Sequence, residues 1–181
     1  MTKKKRICGL DPGLRFLGWG VVEMEGSKIT HIGNGTIASS ADKSLGERLV
    51  ELEGGLEKVL SSLVPQEVAI EYSFVNKDAV SSLKLGQARA ICLLLPAKKN
   101  MEIAEYAPNH IKSVITGNGH ADKKQMLFMV SHLLPGVKFD SEHSVDALAI
   151  ALTHIQAGGR ASERIAEAVA ASEKQDRERK R

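Results

Sequence analysis

At 181 residues, with 43% hydrophobic but only 4% aromatic side chains, the chain has room for one globular domain around an aliphatic core, with at most a tail beyond it. Its two cysteines, Cys8 and Cys92, sit in apolar runs outside any C-x-x-C pair, which argues against structural zinc and for reduced core thiols in a cytosolic protein. A net charge of +3 is too small to name a nucleic-acid partner, so the distribution of charge has to carry that question.

The basic start Lys3-Lys4-Lys5-Arg6 precedes an apolar run far too short for a signal peptide, and no later segment reaches membrane-spanning length, so a cytoplasmic location is expected. Ile7-Cys8-Gly9-Leu10-Asp11-Pro12-Gly13 reads as a short apolar strand that ends on a carboxylate and turns at once. Pro12 fixes its own φ, Gly13 can supply a positive one, and no large side chain guards the turn. Phe16 to Glu25 reads as a second strand, with Gly18 and Gly20 where another backbone or a ligand can come close. After the turn Glu25-Gly26-Ser27, Lys28 to Ala38 forms a third strand in a hairpin with the second.

Then the period changes. Leu45, Leu49, Leu52, Leu56, Val59, Leu60 and Leu63 fall on one helical stripe. Gly54 and Gly55 within it each cost about 1 kcal/mol against Ala, which implies close packing or a bend there. Pro65 stops the helix. Glu67 to Glu71 is a fourth strand, again apolar and again ending on an acid. Tyr72 to Lys77 is a loop carrying two aromatics, Tyr72 and Phe74. Asp78 is placed to cap a helix running to about Leu95, before Pro96. That helix is apolar on more than one face, so it is either sandwiched in the core or buried against a partner subunit. Glu102 to Ala107 is a fifth strand, and Pro108 opens a short helix from Asn109 to Ile115. Asp122 caps a helix from Lys123 to Leu134 that Pro135-Gly136 ends. The last core helix spans about Ser141 to Gln156, with Val145, Leu148, Ala149, Leu152 and Ile155 inward, and Gly158-Gly159 terminates it. The polar, charged remainder is expected to be a mobile tail, giving a domain over 1–158 and a tail over 159–181. The order β-β-β-α-β-α-β-α-α-α predicts an α/β fold, a mixed five-stranded sheet with helices on both faces.

If the strands ending on Asp11 and Glu71 lie parallel and adjacent, the two acids stand together at the carboxyl edge of the sheet, where open α/β sheets place their sites. His143 and Asp146, three residues apart, share a face near the start of the last helix. Three carboxylates in one pocket repel each other by several kcal/mol unless a cation joins them, so their convergence implies divalent metal. Two metal ions about 3.5–4 Å apart can activate water and stabilise the leaving oxygen of a phosphodiester, which is a nuclease site. Mg²⁺ prefers oxygen ligands and imidazole suits Mn²⁺, so the histidine predicts that Mn²⁺ supports cleavage at least as well as Mg²⁺. His31, His110, His120, His132 and His154 lack such neighbours in the sequence and read as surface or packing residues. Basic residues gather at the start, at Lys98-Lys99, Lys112, Lys123-Lys124 and from Arg177 to Arg181.

Gly9-Leu10-Asp11-Pro12-Gly13, Ala69-Ile70-Glu71, Leu83-Lys84-Leu85-Gly86-Gln87-Ala88-Arg89 and Asp146-Ala147-Leu148-Ala149-Ile150-Ala151 resemble, in order and spacing, the bacterial RuvC-type Holliday-junction resolvases. The likeness runs from about Ile7 to Ile155. It implies a ribonuclease-H-like fold, a homodimer, metal-dependent cutting of four-way junction DNA to 5′-phosphate and 3′-hydroxyl ends, and work alongside the RuvA-RuvB branch-migration complex. Asp11 then matches the aspartate that bridges two divalent metal ions, Glu71 the family glutamate and Asp146 the final aspartate. His143 sits where many members carry aspartate and others histidine. Phe74 matches an aromatic that stacks on junction bases, with Tyr72 beside it. Lys112 and Lys123 match positions that hold the phosphate backbone, and Lys84, Arg89 and Lys124 complete the set expected to meet DNA. Two other readings stay open: a ribonuclease-H-like nuclease acting on RNA, and a junction-binding protein without chemistry. A sugar-kinase-like phosphotransferase needs a second domain for which the chain lacks room.

Overall fold

The computed structural model describes residues 4–72 and 79–158. Ten elements follow in order: β1 (Lys5–Asp11), β2 (Phe16–Glu25), β3 (Lys28–Ala38), α1 (Leu45–Leu63), β4 (Glu67–Glu71), α2 (Ala79–Lys98), β5 (Glu102–Tyr106), α3 (Pro108–Thr116), α4 (Lys123–Leu133) and α5 (Glu142–Gln156). They build one sheet in the order β3-β2-β1-β4-β5. β1, β2 and β3 form an antiparallel meander, while β4 runs parallel to β1 and β5 parallel to β4. Leu10 pairs with Ile70, so β1 and β4 finish level, on Asp11 and Glu71.

Helices cover both faces, which is why β1 reads as a continuous apolar run rather than an alternation. Cys8, Leu10, Val21, Val68 and Ile70 pack beneath Leu52, Leu56 and Leu60 of α1 and Ala88, Cys92 and Leu95 of α2. Ile7, Val22, Ala69, Ala104 and Tyr106 face the opposite way, under α3, α4 and α5. Both cysteines are free and buried, and burial pushes both thiols above their ordinary range, so neither is reactive.

α5 lies directly on the strands, and glycines allow it. A Cβ on Gly9 would fall 1.9 Å from the carbonyl oxygen of Ala147, one on Gly18 would fall 2.2 Å from that of His143, and one on Gly20 would strike Leu148. The close approach expected at Gly18 and Gly20 is therefore made by a helix backbone. In α1, Gly55 makes room for Ile37 while Gly54 meets nothing, and the helix passes both without interruption.

Several boundaries shift from the sequence expectation. α2 runs through Pro96 to Lys98. Proline there removes a single helical hydrogen bond in the last turn, where the chain is about to leave the helix anyway. α1 is closed by Val64 in the left-handed region, at φ 47°, ahead of Pro65. β5 stops at Tyr106, and Ala107 becomes the N-cap of α3 with Pro108 in its first turn. Gly158 takes the positive φ of 61° expected beyond α5. Asp78, Gly159 and the tail expected over 159–181 lie outside the described residues. No helix among the described residues is long and apolar enough to cross a membrane.

Candidate active site

Asp11 is delivered by β1, whose turn returns so tightly that a Cβ on Gly13 would fall 2.2 Å from the carbonyl oxygen of Phe16. Glu71 arrives on the neighbouring strand. His143 and Asp146 arrive on the first turns of α5, whose start is fixed by a capping box between Ser141 and Ser144. The segment leading into α5 is tied to β3: the Asn34 amide donates to the Lys138 carbonyl and accepts from the Asp140 amide, and Thr36 hydrogen-bonds Ser141.

The electrostatics centre on Asp11. Its Oδ2 lies 3.0 Å from His143 Nδ1, and this hydrogen bond, helped by the charges of Asp11 and Asp146, raises the histidine above its ordinary pKa. Burial first, then repulsion from Asp11 and Asp146, pushes the Glu71 carboxyl up to about 7, against the pull of Lys112. Burial and repulsion from Asp11 push Asp146 up to about 6, against Lys123 and His143. Three carboxyl groups from three elements thus sense one another within one half-buried site. Among the described residues, no three His, Cys, Asp or Glu side chains are drawn together into a ready-made ligand shell. The donor set itself fits divalent cations: three carboxylates and one imidazole, with two of the acids raised by burial and by the charge of Asp11.

The basic residues expected around the site are distributed unevenly. Lys112 on α3 is near enough to stabilise the Glu71 carboxylate. Lys123 pairs with Glu142, which raises its pKa. Lys123 and Lys124 rim a cavity of about 350 Å³ that Leu127, Phe139 and Val145 line and that reaches Asp146. Lys84 is exposed on α2. Arg89 is engaged by Glu105, and its guanidinium lies 5.0 Å from the centroid of the Tyr72 ring. Phe74 lies outside the described residues.

Two features escape the sequence reading. Phe16, partly exposed across the turn from Asp11, places its ring 5.6 Å from that of His143, and the Arg15 guanidinium lies 5.2 Å from the Phe16 ring centroid. An exposed aromatic opening the strand after the turn is the signal that could have marked it. His154 is the other: a packing residue, as read, but with partners the sequence did not show. It has a carboxylate neighbour after all: the ring is buried and bonded to Glu67 and Tyr106, partners 87 and 48 residues away that no local pattern reveals.

Comparison with known proteins agrees with this fold. The family described as Crossover junction endodeoxyribonuclease RuvC matches residues 7–154. A Crossover junction endodeoxyribonuclease RuvC from Parvibaculum lavamentivorans is 54% identical over 161 residues, covering 89% of this chain and 91% of the relative. That from Mesorhizobium japonicum is 52% identical, covering 82% and 88%. Among solved structures, Thermus thermophilus RuvC in complex with Holliday junction substrate superposes with a TM-score of 0.77 at 31% identity, covering 83% of this chain and 93% of that one. The chain belongs to the RuvC family of crossover junction endodeoxyribonucleases.

Proposed function

We propose that the chain resolves Holliday junctions by symmetric paired nicking, hydrolysing one phosphodiester at the shared edge of β1, β4 and α5 in each subunit of a homodimer. The observation that carries this reading is that Asp11, Glu71 and Asp146 sense one another at one sheet edge, with Glu71 and Asp146 both raised first by burial and then by the charge of Asp11. Family membership supports divalent metal dependence, with Asp11, Glu71, His143 and Asp146 as the residues that would hold two such ions, Mg²⁺ or Mn²⁺. When bound, these ions supply activation of a water and neutralisation of charge on the phosphate.

The chain's own groups do the rest. Asp11 bonds His143 and its charge acts on both Glu71 and Asp146. Glu71 and Asp146 must shed their protons to serve, so metal affinity and cutting rise with pH through about 6 to 7. His143 must become neutral and release Asp11, which the same rise in pH favours. Lys112 and Lys123 hold the backbone on either side of the acids and give sequence-independent, salt-sensitive affinity. Phe74 and Tyr72 stack on bases opened at the crossover, worth about 1–3 kcal/mol per base. A two-fold dimer matches the two like strands of a four-way junction. Work alongside the RuvA-RuvB branch-migration complex, a catalytic domain over 1–158 and a charged tail beyond it belong to the same reading.

The test is cleavage of an immobile four-way junction against duplex, single-strand and RNA controls, in Mg²⁺ and in Mn²⁺. The unaltered protein cuts the junction in paired nicks, and Mn²⁺ serves at least as well as Mg²⁺. Asp11→Asn binds the junction and does not cut it. Preferential cutting of RNA, or binding with no cutting in any divalent metal, overturns the reading, and a strong Mg²⁺ advantage removes the ligand role of His143.

A further inference from the structure

Four residues before Glu71 on β4, and eight residues after Asp146 on α5, a second set of polar side chains meets inside the core. His154 Nε2 lies 2.8 Å from Glu67 Oε2, and His154 Nδ1 lies 2.7 Å from the Tyr106 hydroxyl. Glu67 and His154 are each 6% exposed, and Tyr106 is fully buried. The other Glu67 oxygen pairs with Lys5, and His110 stacks on Tyr106.

The hydrogen bonds assign the protons. Burial opposes ionisation of Glu67, but its bonds to Lys5 and His154 outweigh this and hold the carboxyl below its ordinary range. An ionised Glu67 only accepts, so Nε2–H donates to it. Burial pushes the Tyr106 hydroxyl up to about 12, so it keeps its proton and donates to Nδ1. Every member is satisfied by this one arrangement.

Such a chain is an unusual choice for a helix–sheet interface, since apolar residues of the same volume there are commonly as stable or more so. What a polar pair adds is direction. The contacts of α5 with Gly9, Gly18 and Gly20 seat it on β1 and β2 by steric fit. The Glu67–His154 bond ties it to β4, the strand that carries Glu71. The lengths match: eight helical residues rise about 12 Å and four strand residues about 13 Å, so pinning His154 to Glu67 at one end sets the spacing of Asp146 from Glu71 at the other.

We propose that His154 is a positioning residue, whose bond to Glu67 holds α5 in register with β4 and thereby sets the separation of Glu71 and Asp146. The cleavage readout rests on the junction-nuclease reading above, and the metal-binding readout does not. Three variants test it: the apolar pair Glu67→Leu with His154→Leu, His154→Gln, whose amide can donate to Glu67 and accept from Tyr106, and His154→Asn, too short to bridge them. Calorimetric titration with Mn²⁺ and junction cleavage are measured on each. The apolar pair and His154→Asn bind Mn²⁺ about 10-fold more weakly and lose about 10-fold or more in kcat while junction affinity holds, and His154→Gln restores both. Wild-type Mn²⁺ affinity in His154→Asn, or no recovery in His154→Gln, overturns the proposal, and these two variants decide it even where the apolar pair does not fold. Absence of cleavage by the unaltered protein sinks the junction-nuclease reading and leaves the calorimetric comparison standing.

Discussion

Glu71 and Asp146 hold protons at a pH where ordinary carboxyl groups have released them, at about 7 and about 6 respectively. A carboxyl raised in the folded state favours folding below its unfolded pKa, and that contribution is lost as pH rises through the folded value. The metal-free protein is therefore penalised by these acids above pH 7. Glu71→Gln removes the larger part. It is expected to stabilise the protein in chelator at pH 8 by about 1–2 kcal/mol, and by much less at pH 5, while abolishing cutting. Thermal melts at the two pH values check this, and equal melting of the variant and the unaltered protein at pH 8 would show that burial and repulsion do not raise the Glu71 carboxyl. Asp11 and Glu71 were legible because each ends an apolar strand, and Asp146 because it shares the first turns of the last helix with His143. The Asp11–His143 hydrogen bond was not, because it depends on how far α5 sinks onto β2, and sequence spacing groups His143 with Asp146 alone.

α5 is the element on which the site depends, since it carries two of the four candidate ligands and its backbone rests on glycines of β1 and β2. Gly18→Ala drives a methyl to 2.2 Å from the His143 carbonyl, so helix and strand must part. The expected loss is about 1–3 kcal/mol in denaturant unfolding, with a fall in cleavage because His143 moves with its backbone. Unchanged stability would mean that the helix is not seated there. The apolar stripe and the cap were enough to predict this helix, and Gly18 and Gly20 stood out because they interrupt a strand rich in large residues. Gly9 did not stand out, although it meets the helix most closely. The end of α2 was misplaced for a different reason: a proline is read as a stop, but in a final turn it forfeits too little to end the helix early.

On the scale of the whole molecule, the sheet buries both faces and leaves an apolar stripe of α2 outside. Val80, Leu83 and Leu94 of α2 are all more than half exposed. The sequence indicated a helix apolar on more than one face without saying which side met the core, and packing assigns Ala88, Cys92 and Leu95 to that role. The outer residues suit the homodimer proposed above. Leu83→Asp is expected to shift the protein to monomer in sedimentation equilibrium and to uncouple the two nicks, and an unchanged dimer would place the interface elsewhere. The order of strands was readable because three apolar strands without an intervening helix must meander, whereas Glu67, Tyr106 and His154 come together only through the parallel return of β4 and β5. The central claim, that acids from β1, β4 and α5 share bound cations, is tested most directly by anomalous diffraction from crystals grown with Mn²⁺ above pH 7. The expected result is Mn²⁺ density about 2–2.3 Å from carboxylate oxygens of Asp11, Glu71 and Asp146, with His143 released from Asp11; Mn²⁺ bound elsewhere, with the Asp11–His143 bond intact, would contradict it.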